Sequence, residues 1–144
     1  LTTDTVYEAF YDDSAAKAFL HSHSYTGNPL ACAAALAVLD IFRDDDVIAA
    51  NALKAARFDG LLDPLRGDAR LAHLRRTGMI WAFDVAAPVK GFARRFTAAA
   101  SARGLLLVPL GRTVYFMPPY VFDDDAFAML VAGTRAALDE VVPS

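Results

Sequence analysis

The chain has 144 residues, 56% of them hydrophobic, and a formal net charge of −3. That is apolar enough to exclude disorder and long enough to bury a core. The acidic balance, without a Lys/Arg stripe, argues against a nucleic-acid partner. No apolar run reaches the roughly 18 residues of a membrane span, because Arg43, Asp44, Asp45 and Asp46 interrupt the longest one.

Cys32 is the single cysteine and cannot close an internal disulfide. With no basic-then-apolar leader, it points to a reducing, cytoplasmic address. The opening LTTDTVYEAF reads as the interior of a longer protein. So apolar a composition predicts a piece that buries surface against a partner or against the remainder of that protein.

In chain order, Thr3 or Asp4 caps a short helix, TVYEAFY, and Asp12 to Ser14 cap a turn, AAKAFL. After the polar stretch HSHSYTG, Asn28 and Pro29 supply a capping side chain and a proline at the first helical position. The helix they open, LACAAALAVLDIF, is apolar on nearly every face, which predicts burial, with Cys32 as a small core residue. Asp44 to Asp46 punctuate it and mark the most natural hinge. A second helix runs from Val47 to Leu62, ended by Pro64 and Gly67. Residues 69–76 and MIWAFDV form a hairpin of strands about Thr77-Gly78. VKGFARRFTAAASAR is an amphipathic helix, LLLVPL and TVYFMPP are two short strands about Gly111-Arg112, and Asp123 to Asp125 cap a final helix. That helix carries Phe127, Leu130, Val131, Thr134 and Leu138 on one side. The sum is an α/β domain, a small sheet with helices packed on it.

The chemistry concentrates in HSHSYTGNP. A helix start has free N–H groups and the positive end of the dipole, a mild anion site, and the hydroxyls of Ser24, Tyr25 and Thr26 are donors suited to phosphate oxygens. The plain alternative is that Asn28 caps the helix and the other residues only make a turn. His21 and His23 lack the further ligands a metal site needs, so no metal is expected. Ser22 and Ser24 lack the elbow of a serine hydrolase.

Two stretches carry a family resemblance. HSHSYTGNPLACAAALAVLDIF (21–42) and GLLLVPLGRTVYFMPPYV (104–121) resemble the class III pyridoxal-phosphate aminotransferases, and the opening LTTDTVYEAF resembles the piece after that family's lysine loop. The likeness runs in order along the whole chain. It implies the C-terminal part of a fold-type I transferase. Residues 1–46 would then end the large cofactor domain with its connecting helix, and residues 47–144 would form the small α/β domain.

It further implies pyridoxal 5'-phosphate as cofactor and a homodimer with the active site at the interface. Ser24, with His23 beside it, would contact the cofactor phosphate of the neighbouring subunit. Ser22, Val108 and Tyr115 would line the substrate pocket. Within the family the likeness is strongest to the biotin-synthesis branch, which implies S-adenosylmethionine as amino donor and 8-amino-7-oxononanoate as acceptor.

Two departures stand out. Where the family has an arginine that grips the acceptor's carboxylate, this chain has Val108, and Arg112 in the turn is expected to point to solvent. The family's catalytic lysine would precede Leu1, and Lys17, Lys54 and Lys90 lack its context, so no catalytic residue is expected in this chain. Two alternatives stay open: another class III enzyme acting on ω-amino acids or diamines, and a non-catalytic α/β binding module.

Overall fold

The computed structural model describes residues 2–20, 23 and 26–142. Its contacts divide the chain into two compact units, Leu1–Ile41 and Phe42–Ser144.

The first unit is all helix and turn. Helix α1 spans Asp4–Phe10, with Thr3 as N-cap and its hydroxyl accepting from the Val6 N–H at 3.4 Å. Asp12 then organises a single 3-10 turn, Ala15–Lys17, by accepting from the Ser14 N–H at 2.8 Å and pairing with Lys17 at 2.6 Å. Tyr7 stacks on Tyr11 and Phe10 packs against Phe19, with ring centroids 5.3 and 5.4 Å apart. Helix α2, Pro29–Asp44, begins where Asn28 and Pro29 place it.

The expectation that α2 is buried is overturned. None of its residues is buried, Leu36 and Leu39 are each 63% exposed, and Cys32 is exposed rather than in a core. The helix sequence is nonetheless apolar on nearly every face.

The second unit holds the core. Helix α3, Val47–Leu61, starts after Asp46, which takes a left-handed φ of 46°. It ends before Pro64 as expected, but Pro64 also sits in the first turn of the short helix α4, Asp63–Arg66, where a missing N–H costs nothing.

Strands β1 (Leu71–Thr77), β2 (Ile80–Val85) and β3 (Thr113–Phe116) form one antiparallel sheet in the order β1-β2-β3. Alternation sends Trp81, Phe83, Val85, Val114 and Phe116 to one face, where α3, α5 (Phe92–Ser101) and α6 (Asp124–Val141) supply the rest of the core. Phe127 of α6 stacks on Phe58 at 4.2 Å and lies 5.0 Å from Trp81 and 6.1 Å from Phe116. The Trp81 indole N–H donates to Asp59 at 2.8 Å, and Asp59 also takes Arg76 at 3.1 Å, so the buried polar edge of the tryptophan is satisfied. Among the described residues no helix is long and apolar enough to cross a membrane.

Residues 105–110 were expected to be a strand and are not one. They run extended, with Leu105, Leu107 and Pro109 inward and Leu106, Val108 and Leu110 outward, but only Leu110 pairs with β3, through Thr113. Pro109 offers no N–H. The segment is held instead from the helix side, where the Thr97 hydroxyl donates to the Leu107 carbonyl at 2.9 Å.

Candidate functional site

The polar stretch before α2 is described at His23 and from Thr26 onward. The His23 N–H donates to the Thr26 hydroxyl at 3.1 Å, and the Thr26 N–H donates back to the His23 carbonyl at 2.9 Å, closing a turn. Gly27 continues it at φ +72°, a conformation that disfavours side chains, with nothing within 4 Å of where a Cβ would stand.

Asn28 then caps α2 twice over, its Oδ1 accepting from Leu30 at 2.9 Å and Ala31 at 3.2 Å, while the Cys32 N–H binds the Asn28 carbonyl at 2.9 Å. Pro29 has no N–H. Every amide of the first turn is therefore committed, and the anion site expected at the helix start is closed by its own cap. What the segment offers a phosphate is hydroxyl donors. Thr26 accepts with one lone pair and keeps its proton to give. Ser22 and Ser24, with His21 and Tyr25, lie outside the described residues. A phosphate monoester fits the donor chemistry of this stretch, through side-chain hydroxyls rather than helix amides.

The remaining expected residues lie in the second unit. Val108 and Tyr115, seven positions apart, line one open concavity of about 600 Å³, together with Leu106, Met117, Pro118 and Met129. Val108 is 56% exposed on the outward side of its segment. Tyr115 is half-buried on β3, opposite Ala82 of β2. The wall is apolar apart from the phenol, and no cation stands among the residues lining it. Among the described residues no cluster of side chains suited to a metal ion occurs.

Sequence reasoning missed the polar centre of the sheet. Asp84 on β2 is 8% exposed and gathers partners from both neighbouring strands. His73 Nδ1 lies 3.0 Å from Oδ2, the Thr113 hydroxyl donates to Oδ1 at 2.8 Å, and the Arg75 guanidinium lies 3.4 Å from Oδ1. Arg112 does not simply point to solvent as expected, because its guanidinium lies 3.8 Å from Asp84 Oδ2. His73 reaches the carboxylate from a left-handed backbone position, φ 54°, inside the irregularity of the β1–β2 register between Ala72 and Arg75. The signal was available in MIWAFDV, a strand whose one charge would otherwise stand unpaired beside its core.

The hydrogen bond with His73, then that from Thr113, and the charge of Arg75 hold the Asp84 carboxyl down at about 2. A carboxyl depressed by folding contributes stability above its ordinary pKa and loses it as the pH falls through the folded value. The stability advantage of the native chain over Asp84→Asn is therefore expected at pH 6 and to shrink steadily from about pH 5 to pH 2. Urea midpoints read from the fluorescence of Trp81, the only tryptophan of the chain, measure it. A gap independent of pH would contradict the assignment. Asp68, lowered by Arg70, weakens both forms alike over the same range.

The described residues form a three-stranded antiparallel sheet backed by helices, preceded in sequence by a capped apolar helix and a polar turn. The family model for aminotransferase class III matches residues 1–138. The chain belongs to this family. It is 43% identical to the adenosylmethionine-8-amino-7-oxononanoate aminotransferase of Helicobacter pylori and 36% identical to that of Synechococcus elongatus, in both cases over 98% of this chain and 34% of the relative.

Among solved structures, the enzyme of the same name from Methanocaldococcus jannaschii superposes with a TM-score of 0.79 at 26% identity, over 98% of this chain and 34% of that one. An amine transaminase from an uncultivated Pseudomonas species, in its PLP-bound form, gives 0.73 at 30% identity, over 85% of this chain and 30% of that one. The chain thus spans about a third of the length of the relatives it matches.

Proposed function

We propose that the chain is the C-terminal portion of an aminotransferase that moves the amino group of S-adenosylmethionine onto 8-amino-7-oxononanoate, giving 7,8-diaminononanoate in biotin biosynthesis. The observation that carries this reading is the unbroken likeness to enzymes of that one name along 98% of the chain.

In this reading residues 1–46 end the cofactor domain and residues 47–144 form the small domain. The whole protein is a cytoplasmic homodimer. Pyridoxal 5'-phosphate, when bound, supplies the electron sink that amino transfer needs. The residues of this chain bind and shape. Ser24, with His23 beside it, contacts the phosphate, Thr26 offers a further hydroxyl proton, and Ser22, Val108 and Tyr115 form the substrate wall. The apolar wall suits the methylene chain of a nonanoate, and the Tyr115 phenol is its one polar handle. The lysine that forms the covalent bond to the cofactor is not among these residues, and the chain alone is expected to be inactive.

The full-length protein, supplied with S-adenosylmethionine and the ketone, should yield 7,8-diaminononanoate by mass spectrometry. Conversion of diamines or ω-amino acids without that product would favour the second reading, a class III enzyme of other substrate range. Val108 speaks for that reading, since an apolar side chain cannot make the bidentate carboxylate pair. So does the 27% identity over 94% of this chain to an omega-aminotransferase of Caulobacter vibrioides.

Removing one hydroxyl tests the phosphate contact apart from turnover. Ser24→Ala in the full-length protein is expected to weaken cofactor binding about tenfold, the scale of one hydrogen bond to a charged group. Titration of the apoprotein by cofactor absorbance reads it, and unchanged affinity would remove Ser24 from the site.

A further inference from the structure

The two wall residues are joined by a turn whose ladder stops early. Leu110 and Thr113 exchange both backbone hydrogen bonds, at 2.9 and 3.0 Å, around Gly111 at φ +61°. On the other side of β3 the Val85 N–H donates to the Arg112 carbonyl at 2.9 Å. With the register Asp84↔Thr113 and Ala82↔Tyr115, alternation turns the main-chain groups of Tyr115 away from β2, toward the segment that carries Val108. A hairpin continuing from Leu110 and Thr113 would next pair Val108 with Tyr115. Among the described residues that rung is not formed. The spacing of the two wall residues is therefore not set by sheet hydrogen bonds.

Beyond its own two backbone hydrogen bonds, the turn is tied by Asp84. It takes the Thr113 hydroxyl at 2.8 Å and the Arg112 guanidinium at 3.8 Å, and it is braced on β1 by His73 and Arg75. The Leu107 end of the segment is tied separately to α5 through Thr97.

We propose that Asp84 is a positioning residue for the substrate wall: by gripping Thr113 and Arg112 it fixes the Leu110–Thr113 turn and with it the gap between Val108 and Tyr115. The proposal rests on the reading of that concavity as the substrate wall. Asp84 itself touches no substrate. Its loss leaves the core face of the sheet intact, because Trp81, Phe83 and Val85 point the other way.

The test uses the full-length protein and two readouts. In Asp84→Ala, amide hydrogen exchange at Leu110 and Thr113 is expected to quicken, and KM for 8-amino-7-oxononanoate to rise about tenfold with kcat nearly unchanged. Asp84→Asn should fall between, since an amide oxygen can still accept from Thr113 but cannot pair with Arg112. Asp59→Ala, which strips the hydrogen bond from Trp81 on the core side, is the control that destabilises without moving KM.

Unchanged exchange at the turn overturns the proposal. So does a KM that stays put in Asp84→Ala, or one that rises equally in Asp59→Ala. A wild-type protein that does not convert the ketone counts against the functional reading instead, and the exchange measurement then decides alone whether Asp84 holds the turn.

Discussion

Phe127→Ala is expected to destabilise the second unit by about 3–5 kcal/mol, the range for deleting a fully buried aromatic ring. Phe127 is where helix meets sheet. Its ring stacks on Phe58 of α3 and contacts Trp81 and Phe116 on the sheet face, and none of the four is more than 1% exposed. Alanine there removes the ring that touches three others, and rigid strands on one side keep the cavity from collapsing. A shift in the urea midpoint at constant slope, followed by Trp81 fluorescence, would carry the whole effect.

Phe127→Leu, which keeps most of the volume, should cost about 1–2 kcal/mol. Equal losses for leucine and alanine would mean the stack matters more than the volume it fills. The shape of the concavity depends on the same contact. Met129 and Leu130, on the next turn of α6, line the concavity with Val108 and Tyr115, so a loosened α6 also loosens the back of the wall.

The elements legible in the sequence are those whose reasons are local. Asn28-Pro29 fixed the start of α2 because a capping side chain and a missing N–H act within one turn, and the capping bonds are there. The period of α6 named its buried side, and Phe127, Leu130, Val131, Thr134 and Leu138 are all buried. The β1–β2 hairpin followed from alternation about Thr77-Gly78.

What could not be read depends on partners distant in sequence. LLLVPL has strand composition, yet whether it joins the ladder is decided by Pro109 and by Thr97, an α5 residue that takes up the Leu107 carbonyl. Arg112 looked solvent-bound because its counter-ion, Asp84, stands 28 positions earlier. Pro64 reads as a stop signal, and α3 does end before it, at Leu61, but Pro64 also falls in the first turn of the next helix, α4. Of the wall, Val108 and Tyr115 were reached through resemblance. The carboxylate that holds the turn between them was reached only through the geometry of the sheet.

Leu36→Asp combined with Leu39→Asp is expected to act in opposite directions in two contexts. In the 144-residue chain, α2 presents Leu36, Val38, Leu39 and Ile41, each at least half exposed. These apolar side chains, spread around the helix, exceed what a monomer in water tolerates, so the chain by itself should self-associate. Two carboxylates among them should return it to a monomer in sedimentation velocity, with helix content retained because no residue of α2 is buried.

In the full-length protein the same pair should abolish soluble, assembled enzyme. Each leucine that leaves water contributes about 1.5–3 kcal/mol, and a charge put in its place adds the cost of burial without a partner. The sign reversal separates a face built to be covered from one that is incidentally greasy. An incidental face would gain solubility in both contexts.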